Sequence, residues 1–190
     1  MSNILVNDEL KQGAKANLNG KIIEQTIIPQ LTLSGYKIYK YSDIVKEPSF
    51  LDEKKVVITN MPFKSVYGHK GKTEYLIINT ARGKKIRVES KHQASAGSVD
   101  EKFVNLFLNT VYAYPEDEII LLIQGEGFKP QAKAWLTNAV EEFNKETDEY
   151  LKAFEVLKPM LAPQNEFLKR KKVHVMNLSD FINYFFKELT

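Results

Sequence analysis

The chain reads as an α/β protein, a central mixed β-sheet flanked by helices, and three observations carry that reading. Near the N-terminus apolar residues recur at helical spacing: Leu10, Ala14, Leu18, Ile22, Ile23, Ile27. A middle segment holds β-branched runs separated by a short loop with a glycine. The second half then alternates a strand-length apolar run with amphipathic helices, the rhythm of a parallel sheet.

Taken in order, the helical period from Asp8 to about Leu31 predicts one long helix with a single buried stripe, weakened by Gly13 and Gly20. Pro29 should end or kink it near its last turn. Val56 to Asn60 (Val-Val-Ile-Thr-Asn) reads as a strand closed by Pro62. Glu74 to Asn79 and Lys85 to Lys91 flank Thr80-Ala81-Arg82-Gly83-Lys84, with glycine where a hairpin loop needs a positive φ, so they read as an antiparallel hairpin.

Ser98-Val99-Asp100-Glu101 has capping-box spacing and opens a helix that runs to about Tyr112, with Phe103, Leu106, Phe107 and Thr110 on one face. Glu118 to Ile123 is a buried strand, and Pro130 to Phe143 a helix with proline at an early position. Glu146 to Lys172 is polar and helical in places. Val173 to Met176 reads as a last short strand and Ser179 to Leu189 as a capped helix.

At 190 residues the chain is expected to form one domain, residues 1–190, with a core over about 10–145 and a C-terminal helical and strand extension over 146–190. Hydrophobic residues at 43% and charged residues at 27% are the balance of a soluble globular protein. No run approaches the roughly 18 apolar residues that span a bilayer, and the first ten residues lack an export pattern, so a cytoplasmic location is expected. The absence of cysteine excludes disulfides, thiolate zinc sites and cysteine nucleophiles. His69, His92 and His174 form no metal-ligand pair at helical or strand spacing, which leaves oxygen ligands and a hard metal. A net charge of +3 is compatible with a polyanionic partner but does not select one.

Alternate residues of a strand share a face, so Arg87, Glu89, Lys91 and Gln93 project one way while Ile86, Val88 and Ser90 point the other. Taking Asn79 and Lys85 as near-opposite partners puts Glu74 across from residue 90, give or take one, and one residue of register decides whether Glu74 joins that face. Two neighbouring carboxylates repel and raise each other's pKa unless a cation neutralises them. Mg²⁺, with Mn²⁺ as a substitute, is the expected ion, held by Glu74 and Glu89 and completed by waters and phosphate oxygens, with Lys91 orienting a nucleophile.

Glu74 followed by Glu89-Ser90-Lys91 on the next strand resembles the PD-(D/E)xK nuclease superfamily, the restriction endonuclease-like fold. Glu24 on the first helix is similar to that superfamily's helical acid, and Gln93 to a glutamine found in several of its branches. The helix after Gly97-Ser98-Val99 matches the one that follows the catalytic strand, so the resemblance spans roughly Gly13 to Phe143. Where the family usually has aspartate after proline, this chain has Glu74 after Thr73; Glu53-Lys54-Lys55 also satisfies Glu-x-Lys, so context rather than the triplet carries the match.

The resemblance implies a metal-dependent deoxyribonuclease, a restriction-like endonuclease, with Glu74, Glu89, Lys91, Gln93 and Glu24 as catalytic residues and a homodimer as partner state. Lys70, Lys72, Arg82, Lys84 and Lys85, around the hairpin and expected beside the metal site, are the candidate DNA contacts, with Lys169-Arg170-Lys171-Lys172 as a second basic run. Rival readings are a non-catalytic DNA-binding protein with a nuclease-like fold and an assembly protein whose Glu89 and Lys91 form only a solvated ion pair.

Overall fold

The computed structural model describes residues 12–94, 101–157 and 170–190. Six strands line up in chain order: β1 (Lys37–Lys40), β2 (Lys55–Lys64), β3 (Lys70–Asn79), β4 (Lys84–His92), β5 (Glu118–Gln124) and β6 (Lys172–Met176). β1 pairs parallel with β2, and β4, β5 and β6 pair parallel with one another. β3 is antiparallel to both its neighbours. The predicted mixed α/β sheet is what the chain forms.

Side-chain alternation assigns the helices to faces. Val57, Ile77, Ile86, Val88, Ile120 and Leu122 bury against Ile23, Ile27 and Leu31 of α1 (Gln12–Leu33) and Phe181 and Phe185 of α6 (Leu178–Glu188). On the opposite face Ile119, Leu121 and Ile123 meet Phe103 and Phe107 of α3 (Lys102–Tyr112) and Leu136 and Phe143 of α4 (Pro130–Lys145). Val56, Ile58 and Leu76 cover Ile44 of the short α2 (Tyr41–Lys46). α5 (Thr147–Leu157) leans on α4 through Tyr150, whose ring meets that of Phe143 edge to face at 5.6 Å. Each fully buried aliphatic side chain in these clusters contributes about 1.5–3 kcal/mol.

The structure differs from the sequence reading at four places. α1 continues past Pro29 to Leu33, because Ile27 and Leu31, each 1% exposed, extend the buried stripe across the proline and outweigh its missing hydrogen bond. β2 runs through Pro62 because β1 ends opposite Thr59; beyond that point one side of β2 is an open edge, where a residue without N–H is tolerated. β1 and α2 were not anticipated, since Lys-Ile-Tyr-Lys carries little strand signal and is held by pairing with β2. The segment read as an extension is built into the core: β6 adds to the sheet beside β5, and α6 shares a face with α1. Ser98 and Asp100 of the expected capping box lie outside the described residues; Glu101 precedes α3 without a side-chain cap.

One polar hub ties the end of the sheet remote from the Glu89 end of β4. Glu118, first in β5, accepts from Lys84 Nζ on β4 (2.8 Å) and from the Tyr184 hydroxyl on α6, and pairs with His174 Nε2 on β6 (3.2 Å). The His174 hydrogen bond, with those of Lys84 and Tyr184, outweighs burial and holds the Glu118 carboxyl down to about 2. A carboxylate depressed in the folded state stabilises above its unfolded value, and the stabilisation disappears as pH falls from about 4.5 towards 2. We expect Glu118→Gln to lower stability at pH 7 by about 1–3 kcal/mol and to flatten the acid limb of the urea-unfolding profile over that window; an unchanged acid limb would contradict the assignment.

Candidate active site

The β3–β4 hairpin turns through Thr80–Arg82, with Gly83 at φ 61 and Asn79 Oδ1 accepting from the Arg82 N–H (3.2 Å). Its ladder pairs Tyr75 with Val88 and Asn79 with Lys84. Continued one step, this register sets Glu74 across from Glu89, one residue from the expected residue 90, and so on the same face of the sheet. The side chains meet there. Glu74 Oε2 accepts from the Ser90 N–H (2.9 Å), and the Glu74 carboxyl stands close enough to Glu89 for its charge to act on that group. Lys91 Nζ donates to Glu89 Oε1 and to the Ser90 carbonyl (3.2 Å).

Electrostatics follow from the depth of the cluster. Glu89 is 6% exposed, and burial pushes its carboxyl up; Lys91 opposes that shift and the charge and hydrogen bond of Glu74 add to it, leaving the group well above the usual carboxylate range. For Lys91, burial pulls down, but the charges of Glu89 and Glu74 more than compensate and the ammonium is stabilised. Glu89 Oε2 is buried without a hydrogen-bond donor, as is Gln93 Oε1. Gln93 donates through Nε2 to the Gly127 carbonyl (2.8 Å), and its backbone bridges Gln124 and Gly127. Gly125, at φ +111, passes so close to Gln93 that a Cβ would stand 2.1 Å from its carbonyl oxygen.

Below Glu89 on the same face lies Arg87, fully buried. It forms a two-pronged ion pair with Glu116, and its Nη1 donates to Thr73 Oγ1 (2.8 Å). The Tyr114 ring sits under the guanidinium at 5.3 Å, and its phenol is pushed well above its ordinary pKa by burial first and by the Glu89 charge next, so it stays protonated beside the carboxylates. Glu116 and Tyr114 come from the α3–β5 connection, and nothing in the sequence pattern pointed to them.

The other expected site residues fall as follows. Glu24 is exposed on α1, which covers the opposite face; its charge and that of Glu74 both act on the buried Tyr75 hydroxyl, whose pKa is raised chiefly by burial. Lys70 and Lys72 are exposed on β3 towards the Glu74 end. Arg82, Lys84 and Lys85 are at the hairpin loop, not beside the carboxylates: Lys84 is roughly 17 Å along the strand from Glu89 and is engaged by Glu118. In the second basic run, Arg170 pairs with Asp148, and Lys171 is 5% exposed with Nζ donating to the Thr110, Val111 and Tyr114 carbonyls, so Lys171 is part of the core. Lys169 lies outside the described residues.

A sequence model of the PD-(D/E)XK nuclease superfamily domain matches residues 15–189. The chain belongs to the PD-(D/E)XK nuclease superfamily. Comparisons with curated proteins and with solved structures gave no match. As in this superfamily, an acid on one strand (Glu74) precedes the Glu-x-Lys of the next (Glu89 and Lys91). PD-(D/E)XK nucleases use divalent metal ions, and the donor set here suits one. Among the described residues no three or more His, Cys, Asp or Glu side chains converge as a metal cage. Two carboxyls with an unpartnered buried oxygen are nevertheless the protein share that Mg²⁺ takes when waters and phosphate oxygens complete its shell. Among the described residues no helix is long and apolar enough to cross a membrane.

Proposed function

We propose that this nuclease-superfamily chain is a Mg²⁺-dependent deoxyribonuclease, acting as a restriction-like endonuclease, with Glu74 and Glu89 as metal ligands. The observation that carries the reading is the Glu74–Glu89 pair, two carboxyls set across from each other on one face of the β3–β4 ladder with one buried Glu89 oxygen unpartnered and the Lys91 ammonium alongside. When bound, a divalent cation supplies Lewis acidity at the scissile phosphate and lowers the pKa of water. Glu74 and Glu89 would hold it through their carboxylate oxygens, Glu89 Oε2 being the one without a partner. Lys91, cationic and partly exposed, orients the attacking water and offsets charge on the phosphate. The Tyr114 phenol, its pKa raised first by burial and next by the charge of Glu89, stays neutral near the site.

Gln93 steadies the end of β4 through Gly127, and Glu24 supports from α1 by adding negative potential near Tyr75. Lys70 and Lys72 neutralise DNA phosphates near the cut; Arg82 and Lys85 serve only DNA that extends along the hairpin. The test is incubation of pure protein with supercoiled, linear and branched DNA in Mg²⁺, in Mn²⁺ and in chelator. Metal-dependent nicking or linearisation of the plasmid is expected. No cleavage of any substrate with either metal overturns the reading.

A further inference from the structure

The β2–β3 hairpin overhangs the Glu74 end of the sheet, and its composition is one-sided. Between Glu53 and Glu74 the sequence holds Lys54, Lys55, Lys64, His69, Lys70 and Lys72 and no acidic residue. Its tip is fixed in place. The Ser65 N–H donates to the His69 carbonyl (2.8 Å) and the Gly68 N–H to the Ser65 carbonyl (2.7 Å), with Gly68 at φ 81. Val66, 3% exposed, plugs into the core beside α3, and its N–H donates to Asn109 Oδ1 (2.9 Å). Anchored on both sides, the tip displays Tyr67, 60% exposed, with His69 beside it at 6.5 Å between ring centres.

Asn60 and Lys72 of the same hairpin, with Lys40, Tyr41 and Ser42, line a pocket of about 300 Å³. Asn60 is unpaired in the β2–β3 ladder at the position across from Glu74, and it takes φ 57, the only positive φ outside glycine among the described residues. Lys72 is two residues before Glu74, on the same face of β3. Asp43, next in sequence to the lining residue Ser42, is engaged by the Lys40 N–H (3.3 Å) and the Ser42 hydroxyl (3.4 Å). Two ammonium groups, hydroxyls and an amide with no lining carboxylate match a phosphodiester group.

A solvent-facing aromatic ring on an anchored tip, carried by the same hairpin as a phosphate-type pocket, is a pairing suited to unpaired nucleotides, because a base offers its flat face only where it is not already stacked in a duplex. We propose that this pocket and the Tyr67 tip form a track for single-stranded DNA, Lys40 and Lys72 holding a backbone phosphate beside the cut and Tyr67 stacking on an unpaired base beyond it. The substrate class is then DNA with a single-stranded segment adjoining the scissile bond. The track takes only its position relative to the cut from the reading of Glu74 and Glu89 as the cutting site.

The experiment is fluorescence anisotropy in chelator, so that nothing is cut, with the full chain and labelled single-stranded and blunt duplex oligonucleotides. Tyr67→Ala is expected to weaken single-strand binding by about 5- to 100-fold and duplex binding by less than about 2-fold, and Tyr67→Phe to keep both. Lys72→Ala should weaken single-strand binding and reduce its log-log salt slope by about 0.7. Single-strand affinity unchanged in Tyr67→Ala, or equal losses for single strand and duplex, overturns the track. Both side chains are exposed, so folding is expected to be unaffected, and thermal melts check it. If wild type cuts DNA but Tyr67→Ala binds like wild type, the track fails and the nuclease reading stands; if nothing is cut with any metal but the Tyr67 effect appears, the reverse holds.

Discussion

Glu89→Gln and Lys91→Ala are each expected to slow metal-dependent plasmid cleavage by at least about 100-fold, as removal of a charged group acting at the transition state does elsewhere. Glutamine keeps the shape of Glu89 and can still accept from Lys91, so what it removes is the charge that holds a cation. Folding should not suffer. A buried carboxyl whose pKa is raised in the folded state, here to about 8, costs stability progressively as pH rises from about 4.5, because the unfolded chain then gives up its proton more easily. In chelator, therefore, Glu89→Gln should unfold at or above the wild-type temperature at pH 8, and its advantage should shrink towards pH 4.5. Full cleavage by either variant would remove Glu89 or Lys91 from the chemistry. Loss of cleavage with a large fall in melting temperature would make the residue a structural one.

The largest stability effect is expected at Glu116. Arg87 has no exposed surface, and Glu116 supplies both prongs of its ion pair, so Glu116→Ala leaves a buried guanidinium with no counter-charge in contact, only the Tyr114 ring, Thr73 Oγ1 and the Met61 carbonyl, which Nη1 meets at 3.4 Å. Breaking one side of such a pair costs about 3–5 kcal/mol, whereas replacing both sides by apolar groups is often neutral. We expect Glu116→Ala to unfold in chemical denaturant with a loss of that size and the double change Arg87→Met with Glu116→Leu to recover most of it. A double variant as unstable as the single would mean that the pair itself, rather than an uncompensated charge, holds the fold. Functionally, Arg87 joins β2, β3 and the start of β5 directly beneath Glu89, so loosening it should also lower cleavage.

The hairpin and the Glu89–Lys91 face were readable because a strand's two-residue period and a loop glycine are local properties. The register, read only to within one residue, is settled by loop geometry: a turn of 3₁₀ helix followed by Gly83 pairs Asn79 with Lys84 and so sets Glu74 across from Glu89. The basic residues near the turn were misplaced relative to the carboxylates for a related reason. A hairpin has two ends, and closeness in sequence to the loop means distance from the open end, where Glu74 and Glu89 meet.

Local pattern thus specified the α/β class, the N-terminal helix, the hairpin, the strand–helix alternation and an acid–acid–lysine set on neighbouring strands. Packing alone chose the rest: Glu116 beneath Arg87, Tyr114 beside Glu89, Gly125 against Gln93, β1 at the edge and the Tyr67 tip beyond Glu74. The reason is physical. Alternation and helical period act between residues a few positions apart, whereas burial of a charge, its neutralisation and the approach of one backbone to another depend on which segments the sheet order brings together, and Glu116 is 29 positions from Arg87.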